Sequence, residues 1–144
     1  MKIKLNRIAK DTNFFLKKFI DKQNNSKLIP AMKYGLFSGG KKIRSKILID
    51  VGSLFSINYK TLIAIGAAVE CIHAYTLIHD DLPCMDNDKM RRGKPSTHIK
   101  FGESTAVLAG NSLLTMAFEI LASPNLKVSE KIKIDLITKL SKCS

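Results

Sequence analysis

Apolar residues recur along this chain at helical spacing, and no stretch sustains the period of two that marks a half-buried strand. Leu5, Ile8, Phe15 and Phe19 with their neighbours give a first amphipathic helix, closed by the polar cluster Gln23 to Ser26. A second runs from about Leu28 to Phe37, with Pro30 tolerated in its first turn and Gly39-Gly40 stopping it. A third covers about Ile43 to Phe55. From Thr61 to Asp81 the residues are apolar or small almost all round, as in a buried helix, and Pro83 ends or bends it. Leu82 to Gly102, punctuated by Pro83, Gly93, Pro95 and Gly102, reads as an ordered loop carrying function. A fifth helix, about Glu103 to Leu121, is rich in Ala, Gly, Ser and Thr; the last, about Ser129 to Leu140, sets Ile132, Leu136 and Leu140 on one face. The pattern predicts an all-α fold of about six helices, with residues 1–144 as a single unit that no repeat or linker divides.

Composition narrows the setting. With 45% hydrophobic residues and only 8 Gly and 4 Pro, the chain has the makings of a core, which argues against disordered, collagen-like and low-complexity classes. Cys71, Cys84 and Cys143 form no CxxC pair and are odd in number, so neither a disulfide framework nor a structural zinc site is expected and a reducing, cytoplasmic setting follows. The longest uncharged run, Ser104 to Phe118, falls short of the roughly 18 apolar residues of a membrane span, and the N-terminus lacks a hydrophobic signal core. No membrane span is expected. The formal charge of +12 admits nucleic acid, an anionic surface or a small polyanion as partner. The excess is spread thinly, with Lys17-Lys18, Lys41-Lys42 and Lys127 to Lys139 far apart and no aromatic stacking platforms between them, so nucleic acid is not expected.

The chemistry concentrates around the buried helix, which carries Glu70, His73, His79, Asp80 and Asp81. Burying so many ionisable groups is costly unless each has a partner. The run DDLPCMDND places four carboxylates within nine residues, three of them as DDxxxxD at Asp80, Asp81 and Asp86. Clustered carboxylates repel one another, and loosely spaced oxygen ligands suit a hard divalent ion such as Mg²⁺, which takes one or two carboxylates plus substrate phosphates. An Asp-rich helix cap accounts equally well for the acidic run alone. Next comes KMRRGK, where Arg91 and Arg92 could fork onto a diphosphate or simply neutralise the neighbouring aspartates at the surface. Upstream, GGKKIR puts a glycine turn and three cations at a helix N-terminus, either an anion site or a capped turn. It is not a Walker loop, because GxxxxGK[ST] does not occur.

Together, GGKKIR, ECIHAYTLIHDDLPCMDNDKMRRGKPSTH and KFGESTAVLAGNSLL resemble the trans-isoprenyl diphosphate synthases (polyprenyl synthetases), nearest their bacterial farnesyl diphosphate synthase branch, from about Leu28 onward. The resemblance implies the N-terminal part of an isoprenoid-synthase helical bundle. It implies that Asp80 and Asp86, with Asp81 less directly, hold Mg²⁺ and through it an allylic diphosphate, on which Arg91 also acts. It further implies that Lys41, Arg44, His73 and Arg92 hold isopentenyl diphosphate, and that Tyr75, five residues before Asp80, is the floor that favours a C15 product. Core packing is the plain alternative for Tyr75. Ser45 departs from the family, which usually has Pro there.

The implied activity is that of a prenyltransferase of isoprenoid biosynthesis, condensing an allylic diphosphate with isopentenyl diphosphate. Family members are about twice as long and carry a second motif, DDxxD, in their C-terminal half, whereas no Asp pair follows Asp81 here. The expectation is therefore a shortened synthase, with a non-catalytic diphosphate-binding remnant or assembly subunit as the alternative. The resemblance also implies a homodimer through the small-residue stretch Ala106, Ala109, Gly110 and Ala117.

Overall fold

In the computed structural model, which describes residues 2–23 and 26–144, the elements in chain order are α1 (Lys2–Ile20), α2 (Ile29–Leu36), α3 (Ile43–Leu54), α4 (Tyr59–Asp80), β1 (Met90–Arg91), β2 (Lys94–Pro95), α5 (Thr97–Phe101), α6 (Glu103–Ala122) and α7 (Glu130–Lys142). Asn24 and Asn25, inside the polar cluster expected to close the first helix, lie outside the described residues. The chain is all-α as expected, with seven helices among the described residues rather than about six.

The additional elements fall in the segment read as a loop. Arg91 pairs with Lys94 and Met90 with Pro95, so Arg92 and Gly93 form a two-residue hairpin turn, both with positive φ (53° and 76°). Five residues of α5 follow, and Gly102, at φ 87°, separates them from α6. Neither a two-residue strand nor a helix of just over one turn leaves a periodic signal in the sequence.

Helix α4 is the hub and packs against α1, α2, α3 and α6. Its Asn58 cap accepts a hydrogen bond from the Lys60 N–H at 2.9 Å, satisfying one of the donors that a helix start leaves open. Small residues let α6 approach closely: Ala67, Ala68, Cys71 and Ala74 of α4 share one core with Ala106, Ala109, Leu113 and Ala117 of α6. At Gly110 a methyl group would collide with the His79 imidazole, so glycine there is what lets His79 bond the Val107 carbonyl at 3.1 Å. Ile8, Thr12, Leu16 and Ile20 recur every four residues and form the buried stripe of α1.

By length and apolar composition α4 and α6 could each cross a membrane, more than the uncharged run alone indicated. In α4, however, 61% of the apolar window is buried within the chain, as expected of a core helix. The small residues of α6 read as a contact for a second copy are themselves buried: Ala106, Ala109 and Ala117 are 0% exposed, against residues of this same chain. Periodicity on α6 cannot tell an internal neighbour from an external one. Helix α3 turns Ile43, Ile47, Val51 and Leu54 outward.

Candidate functional site

Two adjoining clefts open along the side of the bundle where α2, α3 and α4 meet the hairpin. The first, about 100 Å³, is lined by the glycine turn Gly39 to Arg44 together with Glu70, His73, Leu77 and Arg92. The second runs past Asp81, Arg91, Lys94 and Thr97, and shares Gly35, Ser38 and Leu77 with the first. Residues from three separate sequence motifs thus converge on one face.

In the first cleft, Arg44 on α3 meets His73 on α4, with Nη1 and Nε2 3.2 Å apart. The arginine can only donate, so His73 Nε2 accepts and its proton sits on Nδ1. Partial burial holds the His73 imidazole below its ordinary 6.5, and Arg44, Arg92 and Lys42 add to the effect against the opposing pull of Glu70. The ring is therefore neutral at pH 7. Arg92, projected by the hairpin turn, donates from Nη1 to the Gly39 carbonyl and joins the two loops across the cleft. Gly40, at φ 107°, has a left-handed backbone that favours glycine, and a Cβ there would push aside the Arg92 guanidinium, 2.5 Å away at Nη1. Lys41 and Arg44 are exposed residues on the wall of this cleft.

Of the carboxylates at this end of α4, Asp81 lines the second cleft. Asp81, 2% exposed, is taken by Arg91: Nε donates to Oδ1 at 2.7 Å and to Oδ2 at 2.9 Å, and Nη2 also contacts Oδ1. This pairing keeps the Arg91 guanidinium even more firmly charged than usual, and Asp88 contributes from 3.5 Å. Asp80 is half-buried and Asp86 exposed, and neither side chain has a hydrogen bond or ion pair among the described residues. Their backbones are tied together, since the Asp86 N–H donates to the Asp80 carbonyl at 2.9 Å, folding the loop back on the end of α4.

Asp80, whose charge acts on Arg91, and Asp86 offer oxygen donors of the kind Mg²⁺ takes, with its remaining positions left to water and phosphate. The described residues hold no ready cluster of three or more acidic, His or Cys ligands, consistent with Asp81 being turned away onto Arg91. The hairpin that carries both arginines is pinned by the Tyr34 hydroxyl, which donates to the Pro95 carbonyl at 2.7 Å. Tyr75 is half-buried and stands edge-on to His79, with ring centroids 4.8 Å apart. Sequence reasoning did not single out Tyr34, or Lys42 as distinct from Lys41. Lys42 is 8% exposed and pairs with buried Glu70, a contact only the tertiary structure reveals.

Residues 25–142 match the family described as polyprenyl synthetase. The farnesyl diphosphate synthase of Buchnera aphidicola is 52% identical over 119 residues, which cover 81% of this chain and 42% of the relative. That of Escherichia coli is 44% identical over 143 residues, covering 97% of this chain and 48% of the relative. The crystal structure of an apo FPP/GFPP synthase from Zymomonas mobilis superimposes with a TM-score of 0.94 at 36% identity, covering 99% of this chain and 52% of that one. The chain spans about half the length of the curated relatives it matches. With the family's match covering most of its residues and the fold shared, this chain belongs to the polyprenyl synthetase family.

Proposed function

We propose that this chain carries the N-terminal half-site of a short-chain prenyltransferase that condenses an allylic diphosphate with isopentenyl diphosphate, with a C15 product. The observation that carries the reading is the juxtaposition of a cationic cleft, lined by Lys41, Arg44, His73 and Arg92, with a second cleft lined by Asp81 and Arg91, at the end of the helix that Asp80 closes. One cleft suits each of two diphosphates, and their common wall at Leu77 would bring the two substrates side by side.

In this reading Asp80 and Asp86 hold Mg²⁺, which when bound neutralises charge on a departing diphosphate. Arg91, its fork oriented by Asp81, faces the allylic diphosphate with its remaining N–H groups and stabilises the charge that gathers as the C–O bond ionises. Lys41, Arg44 and Arg92 hold the isopentenyl diphosphate so that its double bond forms a C–C bond to the allylic carbon as the C–O bond to the other diphosphate breaks, and the proton then lost from carbon passes to that released diphosphate. His73 accepts from Arg44, and its neutrality keeps the guanidinium aimed without adding charge. Tyr75 lies roughly 7.5 Å along the helix axis from Asp80 and limits the room for a growing chain.

A diphosphate-binding module without turnover is the second reading, favoured by the single carboxylate set within these 144 residues. Product analysis by the purified chain with dimethylallyl and isopentenyl diphosphates and Mg²⁺ separates the two. Formation of geranyl or farnesyl diphosphate supports catalysis; Mg²⁺-dependent uptake without product supports the module; no uptake at all rejects both.

A further inference from the structure

The glycine turn of the first cleft adopts a backbone that its residues resist, and the cause lies behind it. After Gly39 and Gly40, Lys42 is also left-handed (φ 50°, ψ 47°), a region that residues with a Cβ rarely enter. Its side chain is buried, unusual for lysine. Nζ lies 3.2 Å from the carbonyl of Leu36, the last residue of α2, and 3.5 Å from Glu70 Oε2 on α4. The other carboxylate oxygen of Glu70 accepts the Ser45 N–H of α3 at 3.2 Å. The Ser45 hydroxyl lies 3.1 Å from that same oxygen and 3.0 Å from the Gly66 carbonyl, donating to one at a time. No side chain of α3's own N-cap satisfies its first turn, so Glu70 caps this helix from across the core.

Glu70 also lines the cationic cleft, where a carboxylate weakens the field that would draw an anion. Binding an anion does not explain it. Joining α2, α3 and α4 does, because the side chains that reach the cleft, Lys41 and Arg44, hang from the two residues flanking Lys42 and Ile43 in a turn that its glycines leave loose. We infer that Lys42, Glu70 and Ser45 are positioning residues, a buried clamp that fixes the GGKK turn so that Lys41 and Arg44 face a bound diphosphate. This rests on the reading of the first cleft as a diphosphate site.

Opposite signs separate this role from simple electrostatics. Isothermal titration of the 144-residue chain with inorganic diphosphate at low ionic strength is expected to show binding about tenfold weaker in Glu70→Ala, the size of one charge-assisted hydrogen bond. Coulomb attraction alone predicts tighter binding, since a negative charge has left the cleft, and a purely structural role predicts a lower melting temperature with unchanged affinity in the folded protein. Either result overturns the inference. Should Glu70→Ala fail to fold, Ser45→Ala, which removes only the hydroxyl, is expected to weaken uptake about threefold by losing part of one hydrogen bond, and unchanged affinity overturns the inference. Should the unaltered chain take up no diphosphate, the cleft reading fails, and amide hydrogen exchange judges the clamp by itself. The Ser45 amide is expected to be protected in the unaltered chain, and in Ser45→Ala the amide at that position is expected to exchange faster while Ala74 on α4 keeps its rate; an unprotected Ser45 amide, or equal rates, overturns the clamp.

Discussion

Asp81 and Arg91 meet fork to fork, with the guanidinium Nε 2.7 Å and 2.9 Å from the two carboxylate oxygens, although they come from the end of a core helix and from a two-residue strand. Of the two adjacent aspartates, one is therefore spent on holding the hairpin and the other is left open. Breaking a largely buried pair from one side leaves an uncompensated charge, so Asp81→Ala is expected to lower stability by about 2–4 kcal/mol, the lower end reflecting water's access to Arg91. Urea denaturation measures it; a loss under 0.5 kcal/mol would mean that the pair does not hold the hairpin.

The neighbouring position should behave in the opposite way. Asp80→Ala removes a side chain with no hydrogen bond or ion pair among the described residues, so stability should change by no more than about 0.5 kcal/mol. Mg²⁺-dependent uptake of an allylic diphosphate should vanish, as it should on adding a chelator to the unaltered chain. Equal affinity with and without chelator would refute the metal assignment of Asp80 and Asp86.

Gly110→Ala tests the closest approach of α6 to α4. The new methyl group would meet the His79 ring, which must swing away and abandon the Val107 carbonyl. A cost of about 1–3 kcal/mol follows from overpacking, partly offset by alanine's better helix propensity. A thermal melt unchanged from the unaltered chain would show that the ring relocates freely.

Acidification should act through His73. Its folded-state affinity for a proton is below that of the unfolded chain, near 6.5, because of burial and the nearby cations. Above that pH both states are neutral at this residue and it contributes nothing. As pH falls through 6.5 the unfolded chain takes up the proton first, and stability is lost. Melting temperatures between pH 7.5 and 5.5 should therefore fall less in His73→Gln than in the unaltered chain; parallel curves would exclude the effect.

Turnover by residues 1–144 alone should be well below about 1 per second, the lower edge of ordinary enzyme rates. The clefts lie open at the surface, so water would screen the charges on a leaving diphosphate and quench a carbocation. Radiolabelled isopentenyl diphosphate incorporated at an ordinary rate would contradict this.

How legible this was in the sequence varied with the range of the interaction involved. Helical spacing located α1 to α4, α6 and α7 to within a few residues, though on α7 the expected face is only partly realised: Leu136 and Leu140 are half-buried, Ile132 is exposed and Lys133 is the residue that is buried. The hairpin and α5 were hidden because their form depends on positive φ at Arg92 and on the tie from Tyr34 to Pro95, 61 residues apart. The family resemblance grouped Lys41, Arg44, His73 and Arg92 as candidates, and the four residues line one cleft. What spacing could not convey is division of labour: Lys41 and Lys42 are adjacent and chemically identical, yet one is in water and the other faces Glu70. Asp80 and Asp81 divide in the same way.

The contact from Arg92 to Gly39 spans 53 residues, which gives the cleft a place in time as well as in space. Contacts of long sequence separation carry the larger loop-closure cost and tend to form late in folding. Lys42 and Glu70, 28 apart in the sequence, can join while the hairpin is still unmade. During synthesis the glycine turn would thus be seated on α4 before Arg92 has left the ribosome, so the late-arriving arginine meets a wall already in place.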